Sequence, residues 1–450
     1  MNRKIFQKIK FVISTTVLTL TTIGINSAYA ALIGNPIQLS QGRSSYFPTS
    51  PSLAYNSIDK EYIAVWRFSN STGQADLASQ RFSTTGSLIE GNINLSRDPA
   101  SDTFISYSEP VIAYNSTDNQ YLVSVLVQGS SIFPYNNSVG QLLTADSKFI
   151  GDKFLISSAG QQINLLYNPE VNEYFQTAIG FDYFDPDPIP DNRILGQRIK
   201  SDGTLINSNI RLDPFGDGAL NGQVALDSVN NRYLATWRQQ GSSPNYTVQG
   251  RFINADGGLI SKQLEIVPPP DFYSGVPPLA SISTIFNPIS KQFLVVYALF
   301  EERQIRGQFI DENGTPIGSE IIFSRNLYYN NFSVTFNEKL QTYLLAWIND
   351  SGLIGQFIGT SGNLIGDPFT VASGKQISYS SVIPNNDLGE FVIAWDTPGS
   401  QQGIFAQRIN TSSSSIPEPS TLVGIGVILA ALSMLKKEYA TKNKKALKKV

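Results

Sequence analysis

Short apolar segments separated by polar turns recur along the middle of the chain, roughly every 50–60 residues. Each unit begins with a segment ending in an aromatic residue and a polar one, as in Ala54-Tyr55-Asn56. After a polar turn, a second apolar segment starts on an aromatic ring, and all four tryptophans lie four residues after such a ring. The starting rings are Tyr62, Tyr121, Tyr174, Tyr233, Phe293, Tyr343 and Phe391. This spacing predicts a repeated packing slot in the core of each unit.

A third segment carries a glutamine, as in Gly196-Gln197-Arg198-Ile199, and a glycine-containing turn leads to a fourth, such as 369–371. Four short strands per unit with turns between them predict an antiparallel meander. Four-stranded repeats of about 50 residues are typical of β-propeller blades, which bury their faces against neighbouring blades. We therefore predict an all-β, seven-bladed propeller.

The two ends of the repeat region complement each other. The seventh unit ends at Asn410 without a fourth strand, whereas residues 32–39 match the fourth strand of unit six, 364–371, position by position. Circular closure requires such a split blade, and closure removes exposed sheet edges. We expect the N-terminal strand to complete the last blade. An open β-solenoid is the alternative, and it leaves this match unexplained.

The repeated third-strand glutamines are interpreted as structural. A buried amide needs hydrogen-bond partners, so we expect these side chains to bond backbone between blades. Equivalent copies also argue against catalysis, because a reaction centre needs asymmetry. The set is Gln80, Gln141, Gln197, Gln308, Gln356 and Gln407, with Arg251 in the fourth unit.

Loop lengths separate the two faces of the predicted ring. Turns between strands one and two and between strands three and four, such as 115–120 and 200–203, are short; we call their side the short-turn face. The remaining loops, including 97–109 and 180–192, vary in length and define the long-loop face. Variable loops on a rigid scaffold often carry function. Aromatic rings there suit stacking on sugars or, alternatively, packing onto the blades. The candidate binding residues are Tyr107, Tyr135, Tyr183, Phe184, Phe272, Tyr273, Tyr328 and Tyr329, and the same loops hold Tyr379.

The N-terminus has the features of a secretory signal. Four basic residues precede an apolar stretch at 11–25, and Ala28-Tyr29-Ala30 fits the small-x-small cleavage rule. We expect removal of residues 1–30 after Ala30. The chain has no cysteine, so an exported form would rely on its core rather than on disulfides.

The C-terminus combines Pro417-Glu418-Pro419, an uncharged apolar run at 422–435 and seven lysines. The run is short for a helical membrane span, and it would cross only with lysine snorkelling and local bilayer thinning. The positive-inside rule would keep the lysines cytoplasmic. This order of features resembles the PEP-CTERM sorting domain of exosortase substrates, although its lysine tail is longer than the usual arginine cluster. The resemblance implies export, transient inner-membrane retention and an exosortase-type processing partner.

The predicted domains are a signal peptide at 1–30, a propeller at 31–410, a Ser/Pro linker with the PEP motif at 411–420, and a helical anchor with a basic tail at 421–450. Outside the signal and the tail, the chain has 22 basic and 34 acidic side chains, a net charge of −12. Nucleic-acid binding needs a positive footprint, so this surface disfavours it.

Candidate chemistry is sparse. Without histidine or cysteine, a Ser-His-Asp triad, a cysteine nucleophile and the usual zinc sites are excluded. Paired carboxylates remain open for acid/base work. One loop holds four carboxylates that could bind Ca²⁺, although a stiff surface loop is the simpler interpretation; they are Asp182, Asp185, Asp187 and Asp191. No other cofactor is expected.

Two functions follow from the sequence. The first is a surface or extracellular-matrix protein, in the periplasm or outside the cell, whose long-loop face binds polysaccharide or a surface protein. The alternative is a carbohydrate-active enzyme, a glycosidase or lyase, that uses loop carboxylates.

Overall fold

The computed structural model describes residues 28–40, 47–69, 75–96, 106–128, 137–157, 159–181, 192–214, 218–240, 246–267, 279–299, 302–327, 331–374, 376–397 and 402–413. Residues Ala30–Thr411 form one compact unit. A second unit, Met1–Tyr29 with Ser412–Val450, is described only at residues 28–29 and 412–413. The predicted sorting motif and anchor therefore lie outside the described residues.

The compact unit is a seven-bladed β-propeller with four-stranded antiparallel blades. The first blade contains β2(Phe47–Asn56), β3(Glu61–Ser69), β4(Ala75–Ser83) and β5(Leu88–Asn94); the second contains β6(Ser106–Tyr107), β7(Val111–Asn115), β8(Gln120–Gln128), β9(Asn137–Thr144) and β10(Phe149–Ser157); and the third contains β11(Ala159–Asn168), β12(Glu173–Phe181), β13(Asn192–Lys200) and β14(Leu205–Arg211). The fourth contains β15(Ala219–Asp227), β16(Arg232–Gln240), β17(Tyr246–Asn254) and β18(Leu264–Val267), and the fifth contains β19(Leu279–Asn287), β20(Gln292–Leu299), β21(Gln304–Ile310) and β22(Pro316–Ser324). The sixth contains β23(Phe332–Asn337), β24(Thr342–Asn349), β25(Gly352–Gly359) and β26(Leu364–Ser373), and the seventh contains β27(Ser380–Asn385), β28(Glu390–Thr397), β29(Gly403–Ser413) and β1(Ala28–Gln38). In the second blade β6 and β7 both pair with β8, so the first strand is split. The seventh sheet has the order β1-β29-β28-β27.

The hydrophobic core lies between neighbouring blades. One buried cluster joins Leu234 and Phe252 of the fourth blade to Phe293 and Val295 of the fifth. The aromatic side chain that starts the second apolar segment of each unit is fully buried in every blade, and the four tryptophans are at most 3% exposed. This aromatic side chain also packs against the aromatic residue near the end of the first strand, as in Tyr62 and Tyr55, whose ring centroids are 5.1 Å apart. Cross-strand aromatic pairs of this kind stabilise a sheet.

The repeated glutamines are buried, but they bond within their own blade and not between blades as predicted. In the third blade, Nε2 of Gln197 donates to the carbonyls of Arg198 at 2.8 Å and Ile206 at 3.1 Å. Here the pairing of β13 with β14 skips from Gly196↔Ile210 to Arg198↔Ile206, a β-bulge. The bulge turns carbonyls toward the third strand, and the glutamine amide satisfies them.

Side-chain hydrogen bonds between blades are formed instead by the polar residue that ends the first strand. Asn56 accepts hydrogen bonds from the backbone of its own turn at Ile58 and Asp59, and its amide donates to Oδ1 of Asn119 in the next blade, at 2.9 Å. Asn115 repeats the pattern with the third blade. One side chain thus shapes the turn and joins two blades on the short-turn face.

In the described ranges, no helix is long and apolar enough to span a bilayer. The apolar run predicted at 422–435 lies outside the described residues.

Candidate ligand-binding site

A cavity of about 360 Å³ opens at the centre of the ring. Its wall consists mainly of residues from the N-terminal part to the middle of the innermost strands, together with residues just before some of these strands; among them are Ser50, Glu109, Ser281, Asn331 and Tyr379. Because first strands begin where the fourth-to-first loops end, the mouth lies on the long-loop face. The cavity is therefore at the centre of the face that sequence analysis selected for binding.

Strand alternation makes the wall polar. The side chain four positions before the residue that ends each first strand points into the ring, and it is polar in six of the seven blades. These side chains are Ser52, Asn164, Gln223, Ser283, Ser333 and Ser381, with Val111 in the second blade. All except Asn164 line the cavity. Hydroxyl and amide groups both donate and accept hydrogen bonds, so the wall can bind a ligand with many hydroxyls.

Part of this wall is held by its own hydrogen bonds. Nδ2 of Asn164 donates to Oε1 of Gln223 at 3.0 Å. The hydroxyls of Ser333 and Ser380 are 3.3 Å apart. The backbone nitrogen of Ile112 donates to Oγ of Ser52 at 3.3 Å. These bonds fix side-chain positions before any ligand arrives, which lowers the entropy cost of binding.

One corner of the mouth combines a carboxylate with a phenol. Glu109 is exposed, and its charge lies close enough to the Tyr379 hydroxyl to affect its titration. Burial, together with this charge, raises the pKa of Tyr379 to about 12. The phenol therefore stays neutral at physiological pH and can donate a hydrogen bond.

A second carboxylate lies behind the wall. Asp396 is 2% exposed, and its Oδ1 accepts hydrogen bonds from the backbone nitrogens of Ser378 and Tyr379, both at 2.9 Å. Its Oδ2 accepts from Oγ1 of Thr49 at 2.7 Å. Asp396 thus positions the segment that carries Tyr379. Among the described residues of the wall, Glu109 is the single carboxylate, so they do not supply the pair that the glycosidase alternative requires.

The aromatic candidates have different outcomes. Tyr107 is 4% exposed and lies in a core cluster with Val123 and Val139, so it offers no open ring for stacking. Its hydroxyl accepts a 2.9 Å hydrogen bond from Nζ of Lys153. The correction has a simple cause, since β6 pairs with β8 and draws the ring into the blade. The other candidates lie outside the described residues: Tyr135, Tyr183, Phe184, Phe272, Tyr273, Tyr328 and Tyr329.

The proposed calcium ligands Asp182, Asp185, Asp187 and Asp191 also fall outside the described residues. Where side chains are described, no group of three or more acidic residues is arranged to hold a metal ion.

Sequence analysis missed the cavity wall itself. The inward polar position was visible in the sequence, because serine, asparagine or glutamine recurs at one step of an otherwise apolar strand. Glu109 is the last residue of the loop 97–109, and nothing in the sequence around it distinguishes it from other loop carboxylates.

No family model matches this chain, and no characterised protein matches it by sequence. Its fold is similar to the structure of the Dos1 propeller, with 10% identity and a TM-score of 0.46 over 83% of this chain and 94% of that one. It is also similar to the leech intramolecular trans-sialidase complexed with 2,7-anhydro-Neu5Ac, with 10% identity and a TM-score of 0.47 over 84% and 70% of the two chains. For the intramolecular trans-sialidase from Ruminococcus gnavus in complex with oseltamivir carboxylate, the values are 12% and 0.43 over 81% and 94%. Similarities this distant carry no inference about ligand or activity.

Proposed function

We propose that the protein is an exported, non-enzymatic binding module whose central cavity holds part of a polysaccharide. The observation that supports this most is the polar cavity of about 360 Å³ at the mouth of the ring. Small-molecule sites commonly have volumes of about 300–1,000 Å³. The serine, asparagine and glutamine side chains of the wall complement sugar hydroxyls, and the ring of Tyr379 adds apolar surface. A surface protein that presents a glycan would use the same site.

In this proposal the long loops extend the site. The pair Tyr183 and Phe184 follows β12 in the sequence, and the pair Phe272 and Tyr273 precedes β19; stacking on these rings would add contacts along a polymer. The wall alone binds one end or one segment of the chain.

The sequence features at both ends support export and sorting through the PEP-CTERM signal.

We further propose that β1 closes the ring. The sheet order and the hydrogen bonds of Gln407 to the carbonyls of Ile33 and Arg408, at 2.9 and 3.0 Å, support this role. They reproduce the hydrogen bonds that Gln197 forms in the third blade.

Filling the cavity tests the binding function. We expect Ser283→Phe to weaken binding of a glycan fraction by about tenfold or more, because the ring would occupy the space of the ligand. Ser319→Phe, on the exposed outer strand β22, makes the same chemical change outside the cavity. Binding would be measured by calorimetry on the full-length protein, with polymer size followed over time to detect turnover. Equal binding by both variants would contradict the cavity as the site, and shortening of the polymer would favour the enzyme alternative.

A further inference from the structure

The cavity wall has an uneven charge. Its described residues include no lysine or arginine, and Glu109 is their single charged side chain. Glu109 is exposed and forms no ion pair with any other described residue. A ligand with a negative charge would find no counter-charge in this wall, whereas a positive group would find one.

Tyr379, Asp396 and Arg67 are the titratable side chains that act at the corner of Glu109. Tyr379 is neutral, as argued above. Asp396 is negative, and Arg67 lies cross-strand from Thr49, the residue whose hydroxyl bonds Asp396. The effects of Asp396 and Arg67 on the Tyr379 hydroxyl have opposite signs. Among the described residues that line the cavity, the Glu109 carboxylate is the one charge that a ligand would meet.

We infer that the cavity prefers a glycan that carries a protonated amine, such as a polymer of deacetylated hexosamine, with the amine bound at Glu109. The inference rests on the proposed glycan-binding function and names its ligand class. An ammonium group would form a charge-assisted hydrogen bond with the carboxylate, while the serine and amide side chains bind the sugar hydroxyls. The net charge of −12 outside the chain ends acts in the same direction, by attracting cationic polymers and repelling polymers of uronic acids.

The test compares two ligands that differ only at the amine: a short β-1,4-linked glucosamine oligomer and its N-acetylated counterpart. At about pH 6, where an aliphatic sugar amine is protonated, we expect the full-length protein to bind the amine oligomer about tenfold more tightly. In Glu109→Gln the ratio of the two affinities should approach one. At about pH 9 the ratio should fall in the parent protein as well, because the sugar amine loses its proton.

Glu170→Gln is the matched control. Glu170 is exposed in the turn after Asn168 on the short-turn face, so this variant changes the net charge equally but leaves the mouth unaltered. It should keep the tenfold preference. If both glutamine variants lose the preference equally, the overall charge is responsible and the role of Glu109 is overturned.

The remaining outcomes separate the two levels of the proposal. If both oligomers bind equally and Ser283→Phe weakens both, the glycan site stands and the amine preference fails. If neither oligomer binds, the amine-glycan inference fails, while binding of a neutral glycan fraction in the preceding experiment would still uphold the proposed function. An oligolysine peptide that binds as tightly as the amine sugar, with the same dependence on Glu109, would show a general cation site and overturn the glycan class. Melting curves of each variant would verify that it is folded.

Discussion

The hydroxyl of Tyr62 in the first blade donates a 3.0 Å hydrogen bond to Oε1 of Glu390 in the seventh blade, 328 residues further along the chain. Asn385 donates to the same hydroxyl at 2.6 Å, and Arg408 holds both oxygens of Glu390, at 3.0 and 2.7 Å. The junction of the last and first blades is therefore a buried polar network, and its members depend on one another.

Tyr62→Phe should destabilise the protein by about 1–3 kcal/mol. The change leaves the buried Glu390 with one partner fewer and removes the acceptor of the Asn385 amide, and buried groups that lose partners are costly. Chemical denaturation would measure the loss.

Tyr55→Phe is the control for this variant. It removes a hydroxyl from the same junction, but the hydrogen bond lost, 2.7 Å to Asp387, is exposed to solvent. The cost should stay below about 1 kcal/mol. Similar losses of stability in the two variants would argue that the buried network contributes no more than one exposed hydrogen bond.

Stability should fall steeply above about pH 10. Burial raises the pKa of Tyr233 from 10.0 to about 12, and the slot tyrosines of the other blades shift upward for the same reason. In the unfolded chain these phenols ionise near 10, so between the two values unfolding releases protons. The stability present below the unfolded pKa is thus lost as the pH rises toward the folded one.

Tyr233→Phe should reduce the slope of unfolding free energy against pH by about 1.4 kcal/mol per pH unit in that window. Urea titrations of parent and variant at several pH values would give the two slopes. Parallel curves would mean that Tyr233 ionises alike in both states.

The blade number could be predicted because the packing slot repeats with recognisable residues, the tryptophans and the starting rings. The hydrogen-bond partners of the repeated glutamines could not be predicted from the sequence. Alternation assigns Gln197 to a face of its strand, but the carbonyls it bonds are exposed by a bulge in the next strand. The bulge residue is Gly318 or Gly366 in some blades and Glu90 or Asn207 in others, so no single residue type marks it.

The cavity shows a similar limit. A polar residue in one strand predicts little, and the six such positions become a site only when the ring brings them around one axis. The corner of Glu109 and Tyr379 joins segments 270 residues apart in sequence. Such long-range proximity arises from the arrangement of the seven blades around one axis and from no local pattern.

The left-handed backbone conformation of Gly34 leads to a further prediction. Gly34 has a φ of 70° and Gly91 does not adopt this conformation, while a Cβ on either would meet nothing within 4 Å. Gly34→Ala should cost about 1–2 kcal/mol because alanine is strained there, whereas Gly91→Ala should be neutral or slightly stabilising. Gly34→Asn should cost less than the alanine variant, since asparagine tolerates φ > 0. If the three variants change the melting temperature equally, the left-handed conformation of Gly34 is not the cause of the destabilisation.

The C-terminal segment should govern fractionation. We expect the full chain to sediment with membranes, and a chain lacking residues 417–450 to appear as a soluble exported form. Removing only the seven lysines should weaken retention without abolishing export, because the signal at 1–30 acts separately. Immunoblots of membrane and soluble fractions would report the outcome. Unchanged membrane association after the full deletion would exclude the tail as the anchor.

Deleting residues 32–40 should destabilise the whole propeller. The deletion leaves Gln407 without its carbonyl partner Ile33 and removes Leu39, which is fully buried and whose nitrogen donates to the carbonyl of Ile404 at 2.8 Å. Losing a buried leucine alone costs about 2–5 kcal/mol, and an edge of the seventh blade becomes exposed as well. Calorimetry should show a broader transition at a markedly lower temperature. A synthetic peptide spanning residues 30–40 should restore the parent transition, because the missing strand can bind the open edge in trans. A deletion variant that melts like the parent would show that the ring closes without β1.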